Sequence, residues 1–230
     1  MELKKTTRIE SDLIGEREIP GHILYGVQTL RGIENFPISN FHLNDYPLFI
    51  NGLAMTKWAA AVANHRLGLL TDAQKDGIVK ACKEILEGKH HEHFPVDLIQ
   101  GGAGTTTNMN ANEVICNRAL QIMGHEAGEF AHLSPNDHVN CSQSTNDAYP
   151  TAIHLGLYAT YLKFRPHLLD LIESLRAKSR EFAHVLKMGR TQLEDAVPMS
   201  LGQTFGGFAS ILQDEIKNLD FAAEEFLTVN

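Results

Sequence analysis

The chain has 230 residues, of which 43% are hydrophobic and 21% charged, and its formal net charge is −8. This composition is typical of a soluble globular protein, and the length is sufficient for one or two domains. We expect no nucleic-acid partner, because phosphate recognition needs clustered basic residues and the longest basic cluster is Lys4-Lys5. No stretch approaches the ~18 apolar residues of a membrane span, so we expect no membrane insertion.

The cysteines indicate a reducing compartment. Cys82, Cys116 and Cys141 are odd in number and have no Cys-x-x-Cys spacing. They predict reduced thiols in a cytoplasmic protein. Residues 1–12 are polar and charged, so the sequence predicts no signal peptide.

The first half of the chain predicts irregular structure followed by helices. Residues 1–51 are rich in Gly, Pro and Asn and predict short extended pieces. The next helix is predicted from side chains at three- and four-residue steps: Met55, Trp58, Ala59, Val62, Ala63, Arg66 and Leu67. A second helix has a capping box of Thr71 with Gln74 and stops at Gly88. A third is predicted over residues 110–123 and stops at Gly124.

Two long helices are predicted in the second half. The first covers residues 153–186, and Pro166 is expected to kink it or to start a new helical turn. Residues 189–198 predict a loop. The apolar residues of the last helix are spaced close to every 3.5 residues, as in bundle packing. They are Leu201, Phe205, Phe208, Leu212, Ile216, Leu219, Ala223 and Phe226.

The predicted fold class is therefore mainly α. A small mixed N-terminal domain (residues 1–140) precedes the first long helices of a central helical bundle (residues 141–230). One preceding helix cannot cover the whole apolar stripe of the last one. We therefore expect oligomerisation through these helices, and we expect the sequence to be the front part of a longer one, with an incomplete bundle.

Three polar segments lie between the helical stretches, at residues 101–110, 143–151 and 189–198. Each concentrates hydroxyls and amides, which bind a carboxylate without adding charge. Such donors suit an enzyme that holds a small dianion and stabilises further negative charge during its reaction. The Lys-Ser/Thr ending of a phosphate-binding loop is missing from the first segment.

These segments, in this order, resemble the aspartase/fumarase superfamily of lyases. Residues 9–12, 25–31, 112–114 and 135–137 extend the resemblance over essentially the whole chain. Ser144-Thr145-Asn146 stands where fumarases typically have Ser-Ser-Asn, and Thr191-Gln192 where they typically have Thr-His. Within the superfamily the sequence is therefore most similar to the aspartate ammonia-lyase branch, which reversibly converts L-aspartate into fumarate and ammonia.

The resemblance implies a substrate site made of six residues. Thr105, Ser144 and Thr145 are expected to bind the β-carboxylate, and Asn146 the amino group. The amino and α-carboxylate side is expected to contact Thr191 and Gln192. Glycines 101, 102 and 104 would let the backbone approach the substrate closely. No cofactor or metal is expected.

The resemblance also implies what lies outside these residues. Superfamily members are considerably longer and carry a flexible Gly-Ser-Ser-x-x-Pro-x-Lys-x-Asn loop downstream, whose serine is the proposed general base. That motif does not occur in these 230 residues. We therefore expect no catalytic base within this sequence, and we expect the isolated chain to be inactive. A homotetramer that joins several subunits at each active site is also implied.

Simpler structural roles remain open for several of these residues. Thr105 could cap a glycine-rich turn, and Asn146 or, better, Asp147 could cap the helix that follows. Arg31 and Arg190 could add positive charge near the substrate, although lone arginines more often form structural ion pairs. The histidine-rich residues 89–93 suggest a metal site, but ligands on one short loop rarely converge, which favours a solvated helix end.

Three alternative functions remain open. The first is fumarate hydratase of the same superfamily. The second is a non-catalytic assembly module that pairs through its bundle helices. The third, which the motifs fit poorly, is a lyase for a larger succinyl adduct such as argininosuccinate or adenylosuccinate.

Overall fold

The computed structural model of the chain describes residues 7–100 and 102–229 and is mainly helical, as predicted. The described elements are β1 (Thr7–Asp12), β2 (Gly15–Pro20), α1 (Val27–Asn35), α2 (Pro47–Arg66), α3 (Asp72–Leu86), α4 (Thr105–Ile122), α5 (Thr145–Glu181), β3 (Leu186–Thr191), β4 (Glu194–Ser200) and α6 (Leu201–Glu224). The chain forms two compact units. The first unit comprises Met1–Leu157 with Val229–Asn230, and the second comprises Tyr158–Thr228. The boundary predicted at residue 140 stays a prediction.

The N-terminal region is more regular than predicted. β1 and β2 form an antiparallel hairpin, whose turn is closed by Asp12 Oδ1 accepting from the Ile14 and Gly15 N–H groups. α1 was not predicted, and α2 begins at Pro47 instead of near residue 52. Proline at the first helical position has a suitable φ and lacks an N–H that has no helical partner there.

A buried carboxylate caps the N-terminus of α1. Glu113 on α4 accepts hydrogen bonds from the N–H groups of Gly26, Gln28 and Thr29 at 2.8, 2.9 and 3.0 Å. It also accepts from the Thr29 hydroxyl at 2.6 Å. Burial raises the pKa of the Glu113 carboxyl, and these hydrogen bonds oppose that shift. A carboxylate at this position satisfies otherwise unpaired helix N–H groups and interacts favourably with the helix dipole.

A second carboxylate completes this cap and explains the glycine beside it. Glu10 accepts from the Val27 N–H at 2.9 Å and pairs with Arg8 at 2.8 Å. A Cβ added to Gly26 would lie 2.5 Å from Glu10 Oε2 and 2.8 Å from Glu113. Only glycine lets the backbone come this close to two carboxylates.

Arg31 forms a structural ion pair. Its guanidinium donates two hydrogen bonds to the Asp12 carboxylate, at 2.7 and 2.8 Å. The guanidinium lowers the pKa of Asp12 to about 2. The bidentate pair joins α1 to the end of β1, so the structural reading of Arg31 is confirmed.

The core of the first unit lies between α2, α3 and α4. The Thr71–Gln74 capping box and the stops at Gly88 and Gly124 are confirmed, and both glycines have positive φ. α4 begins at Thr105, five residues before the predicted start at residue 110. Almost every side chain of α4 after its first turn is buried, so a polar sequence forms a central helix.

The predicted helix α2 is present, but the opposite face points into the core. Its buried positions are Ile50, Gly52, Leu53, Ala54, Lys57, Ala61 and Asn64. The predicted stripe instead lines a surface groove, with Met55 44% exposed. α2 has apolar residues on both faces, so spacing alone could not select the core face.

In the second unit, α5 and α6 run antiparallel and are joined by the β3–β4 hairpin. The buried positions of α6 recur every seven residues, at Gly202, Ala209, Ile216 and Ala223, which matches a bundle seam. Leu168, Ile172 and Leu175 of α5 pack with Ala209 and Ile216. Phe208 of the predicted stripe is 52% exposed, so the buried seam differs from the predicted stripe at this position.

One of the two alternatives predicted at Pro166 is wrong. α5 continues through Pro166, so no new helical segment starts there, and the predicted kink stays a prediction. The packing of α5 against α6 on the C-terminal side of Pro166 offsets the one lost backbone hydrogen bond. Residues 189–198, predicted as a loop, belong to the β3–β4 hairpin.

A polar cluster fixes the register of α5 against α6. Asp220 accepts from Arg165 twice at 2.8 Å and from the Tyr161 hydroxyl at 2.8 Å. The guanidinium and then the hydroxyl lower the pKa of Asp220 to about 2.

Among the described helices, none is both long and apolar enough to cross a membrane.

Replacing Glu113 with alanine should lower the free energy of unfolding by about 3 kcal/mol, because four donors lose their acceptor. Urea unfolding followed by the fluorescence of Trp58, the single tryptophan, measures this. The control is Glu126→Ala, an exposed glutamate that should change stability by less than about 0.5 kcal/mol. Equal stabilities for both variants would contradict the role of the cap.

Candidate active site

The first unit brings two of the three polar segments together. Thr105 is the first residue of α4, and Thr145 and Asn146 begin α5. Gly104 packs directly on the ring of Tyr149, the fifth residue of α5, and a Cβ added to Gly104 would lie 2.4 Å from the ring. Two helix N-termini therefore meet, and each contributes the positive end of a helix dipole.

Ser144 caps α5, which corrects the expected roles of Asn146 and Asp147. Its hydroxyl accepts from the Asn146 N–H at 3.2 Å, and its own N–H donates to the Asp147 carboxylate at 3.3 Å. The helix starts eight residues before Ile153, so Asp147 lies inside the first turn. A serine hydroxyl that accepts here keeps its own proton available for donation.

Thr105 is exposed at the glycine-rich turn. Its hydroxyl donates to the Gly102 carbonyl at 2.7 Å, so it must rotate to donate to a ligand. Gly102 and Gly104 have φ values of 76° and 86°, a left-handed conformation that favours glycine. Gly101 lies outside the described residues. Gln100 holds the turn against α4 by accepting from the Thr107 N–H at 3.0 Å.

Thr145 is half-buried and belongs to an amide network. Asn108 of α4 donates through Nδ2 to Thr145 Oγ1 and to Asn140 Oδ1, both at 3.1 Å. Because the Thr145 oxygen accepts from Asn108, its proton is left to point away from this network. The network continues to Lys57, whose Nζ donates to Asn140 Oδ1 at 2.9 Å and to Gln143 Oε1 at 3.0 Å.

Sequence reasoning missed Asn108, Asn140 and Lys57. Lys57 lies on the buried face of α2, three residues from Ala54 and four from Ala61. A lysine in that position is a signal, because a fully buried lysine is rare without a specific partner. Because the opposite face of α2 was predicted as the core face, the buried position of Lys57 was not recognised.

A cavity of about 390 Å³ opens beside the two helix N-termini. Its lining mixes apolar side chains with the amides of Gln100 and Asn146, next to the Gly104–Tyr149 contact. A mostly apolar pocket with a few polar groups is typical of small-molecule sites. Of the four expected residues in the first unit, Asn146 lines this cavity, while Thr105, Ser144 and Thr145 lie at the adjoining starts of α4 and α5.

Thr191 and Gln192 lie in the second unit, at the turn of the β3–β4 hairpin. Both are exposed, and Gln192 and Leu193 have φ values of 49° and 68°, as in a two-residue hairpin turn. Arg190 pairs with Asp195 across the hairpin at 3.2 Å. The roles expected for Thr191 and Gln192 stay predictions.

Two groups of His and Glu side chains converge in the described part of the chain. In each, three ligand atoms lie within 4.8 Å of one another: His90, Glu92 and His93; His125, Glu129 and His132. The expectation that side chains of residues 89–93 do not converge is therefore wrong.

Hydrogen bonds and ring geometry oppose ion binding at both groups. His93 Nδ1 accepts from the Leu24 N–H at 3.5 Å, which assigns its proton to Nε2, the nitrogen that faces Glu92. The rings of His125 and His132 are nearly parallel with centroids 3.9 Å apart, so one ion cannot lie in both ring planes.

Comparison with known proteins identifies the family. A family model described as lyase matches residues 15–229. The chain belongs to this lyase family. It is 54% identical over 221 residues to aspartate ammonia-lyase of Pseudomonas canavaninivorans, covering 96% of this chain and 47% of that protein. This lyase chain spans about half the length of the curated relatives it matches.

Solved structures share the fold of this lyase chain. A fumarate lyase:delta crystallin from Brucella melitensis is 50% identical with a TM-score of 0.94, covering 97% of this chain and 50% of that one. A class II fumarase from Schistosoma mansoni is 38% identical with a TM-score of 0.87, covering 97% of this chain and 47% of that one.

The Gly104–Tyr149 contact predicts a large effect of one methyl group. Gly104→Ala should lower the free energy of unfolding by about 2–4 kcal/mol, through backbone strain and through overpacking against the ring. Gly68→Ala is the matched control, because Gly68 has a similar φ of 77° but nothing within 4 Å of an added Cβ. Urea titrations followed by Trp58 fluorescence measure the free energy of unfolding of both variants. Equal losses of stability would show that the ring contact is unimportant.

Proposed function

We propose that this sequence is part of an aspartate ammonia-lyase, which reversibly eliminates ammonia from L-aspartate to give fumarate. The observation that carries the proposal is the meeting of two helix N-termini at Gly104 and Tyr149, with four of the six expected substrate-binding residues beside it. The 54% identity to an aspartate ammonia-lyase supports the same reaction. No cofactor is needed for this chemistry, and the three free thiols agree with a cytoplasmic location.

The proposed mechanism depends on uncharged donors. A base supplied from outside this sequence removes the Cβ proton of aspartate, and the electron pair spreads into the β-carboxylate as an aci-carboxylate. The Cα–N bond then breaks, fumarate forms and the amine leaves as ammonia. Thr105, Ser144 and Thr145 donate hydrogen bonds to the β-carboxylate, and these bonds strengthen as its charge increases. Asn146 accepts from the substrate ammonium.

Two residues favour aspartate over malate. Thr145 and Gln192 stand where fumarases typically have Ser and His. The lower identity to the fumarase, 38%, agrees with this preference. We propose that Thr191 and Gln192 contact the amino and α-carboxylate side of the substrate in the assembled enzyme.

Assembly into a homotetramer is part of the proposal. In the second unit the exposed apolar side chains of α5 and α6 include Leu162, Phe164, Leu171, Phe208, Ile211 and Phe221. Apolar faces of this kind mark interaction surfaces, and the seven-residue repeat of α6 suits further helix packing. Oligomerisation would cover these faces and would bring residues of different subunits to each active site.

The substrate test uses the complete lyase that carries this sequence. With L-aspartate it should form fumarate, followed by ultraviolet absorbance, at a rate far above that with L-malate. The isolated 230-residue chain should form none. Fumarate from malate alone would assign a fumarase, and aspartate turnover by the isolated chain would contradict the need for an external base.

Removing single hydroxyls tests the carboxylate subsite. Thr105→Val, Ser144→Ala and Thr145→Val should each lower kcat of the complete enzyme by about 100-fold, because each removes one oxyanion donor. Unfolding free energies should change by no more than about 1 kcal/mol. Ser174→Ala is the control, since this exposed hydroxyl on α5 bonds only within its own helix at 2.9 Å. Wild-type kcat in all three variants would place the subsite elsewhere.

A further inference from the structure

Lys57 is a fully buried lysine with only neutral partners. Lys57 is one of the largest fully buried side chains of the described residues. From α2, its side chain points toward two amide oxygens. Nζ donates to Asn140 Oδ1 at 2.9 Å and to Gln143 Oε1 at 3.0 Å. Among the described residues no carboxylate pairs with it. A buried cation without a counter-charge is costly, so its presence suggests a function.

The hydrogen bonds from Lys57 determine which group donates and which accepts throughout the network. An ammonium can only donate, so Asn140 and Gln143 must turn their oxygens toward it. Asn140 Oδ1 then also accepts from Asn108 Nδ2, and the same Nδ2 donates to Thr145 Oγ1. A flipped Asn108 amide would place oxygen against oxygen. The Thr145 hydroxyl is therefore held as an acceptor toward Asn108, with its proton directed away.

The surroundings of Lys57 leave its charge unbalanced. From α3 the single titratable group acting on it in the described chain is Cys82, which is neutral because burial raises its pKa to about 12. The segment after the π-helical turn Pro135–Val139 contributes the neutral amides of Asn140 and Gln143. α4 contributes the neutral amide of Asn108. Burial lowers the pKa of Lys57 to about 7.

We propose that Lys57 is a positioning residue of the carboxylate subsite, which orients the Thr145 hydroxyl through Asn140 and Asn108 and balances the charge of the bound dicarboxylate. This inference rests on the proposed function. The first-unit subsite contains only uncharged donors, and the substrate carboxylate supplies the negative charge that the buried ammonium lacks. Substrate and Lys57 therefore stabilise each other, although three hydrogen bonds separate Lys57 from Thr145 and a fourth joins Thr145 to the substrate.

Because of this mutual stabilisation, binding of a dicarboxylate raises the pKa of Lys57, and a neutral Lys57 takes up a proton when the ligand binds. The free protein loses the Lys57 proton as the pH rises through about 7, and a bound dianion shifts this loss to higher pH. Succinate, a dianion without the amino group, should therefore bind the complete enzyme at pH ~8 with uptake of up to about one proton per site. Calorimetric titrations in buffers of different ionisation enthalpy measure this number.

Substitutions separate charge from structure. Lys57→Met should lower succinate affinity by about 10- to 100-fold below pH ~7 and abolish proton uptake. Lys57→Arg should keep the affinity but lose proton uptake, because a guanidinium stays charged throughout this range. Lys83→Met, which removes an exposed cation from α3, should change neither.

A third variant tests the proposal if neither Lys57 variant folds. Asn140→Asp is nearly isosteric and places a carboxylate against the ammonium, which raises the pKa of Lys57. The midpoint of the pH dependence of succinate affinity should then move upward. A purely structural role for Lys57 predicts no such shift.

The outcomes separate this inference from the proposed function. Proton uptake in the wild type that disappears in Lys57→Met, or the upward shift with Asn140→Asp, supports the inference. Succinate binding without proton uptake, or uptake that persists in Lys57→Met, overturns it while the lyase assignment stands. An enzyme that neither binds succinate nor converts aspartate overturns both.

Discussion

The first unit depends on four buried polar side chains of α4, each of which bonds to a different segment. Glu113 caps α1, Asn117 donates to the Leu24 carbonyl at 2.8 Å, and Asn110 donates to the His93 carbonyl at 2.9 Å. Asn108 reaches the start of α5. A buried polar group without a partner is costly, so these contacts fix where each segment lies. The candidate site is one end of this arrangement.

The sequence predicted elements with strong local signals. The capping box of α3, the glycine stops and the roughly 3.5-residue apolar period of α6 were readable, because each depends on residues within one helix. The buried positions Gly202 and Ala209 of α6 were not among the predicted ones. α1 and the core face of α2 were not readable, since they depend on contacts with α4. The strands β3 and β4 within the loop predicted at residues 189–198 were also missed, because their turn at Gln192 and Leu193 adopts positive φ without a glycine to mark it.

For the candidate site, the motifs supplied the proposed residues but not the contacts between them. Ser144 and Thr145 stood out as hydroxyls in a polar segment, whereas Lys57 lay within an apolar helical pattern 87 and 88 residues earlier. Only the fold places its ammonium against Asn140 and Gln143. In the proposed subsite, the same network would let neutral donors favour a dianion: the hydroxyls would contact the carboxylate, and the buried cation behind them would supply the charge.

The central claim is that the N-termini of α4 and α5 form one carboxylate-binding subsite. The most direct measurement is a crystal structure of the complete lyase with succinate bound. The account predicts one carboxylate within hydrogen-bond distance of the hydroxyls of Thr105, Ser144 and Thr145, with the Thr105 hydroxyl rotated away from Gly102. A well-ordered succinate that contacts none of these three hydroxyls would contradict it.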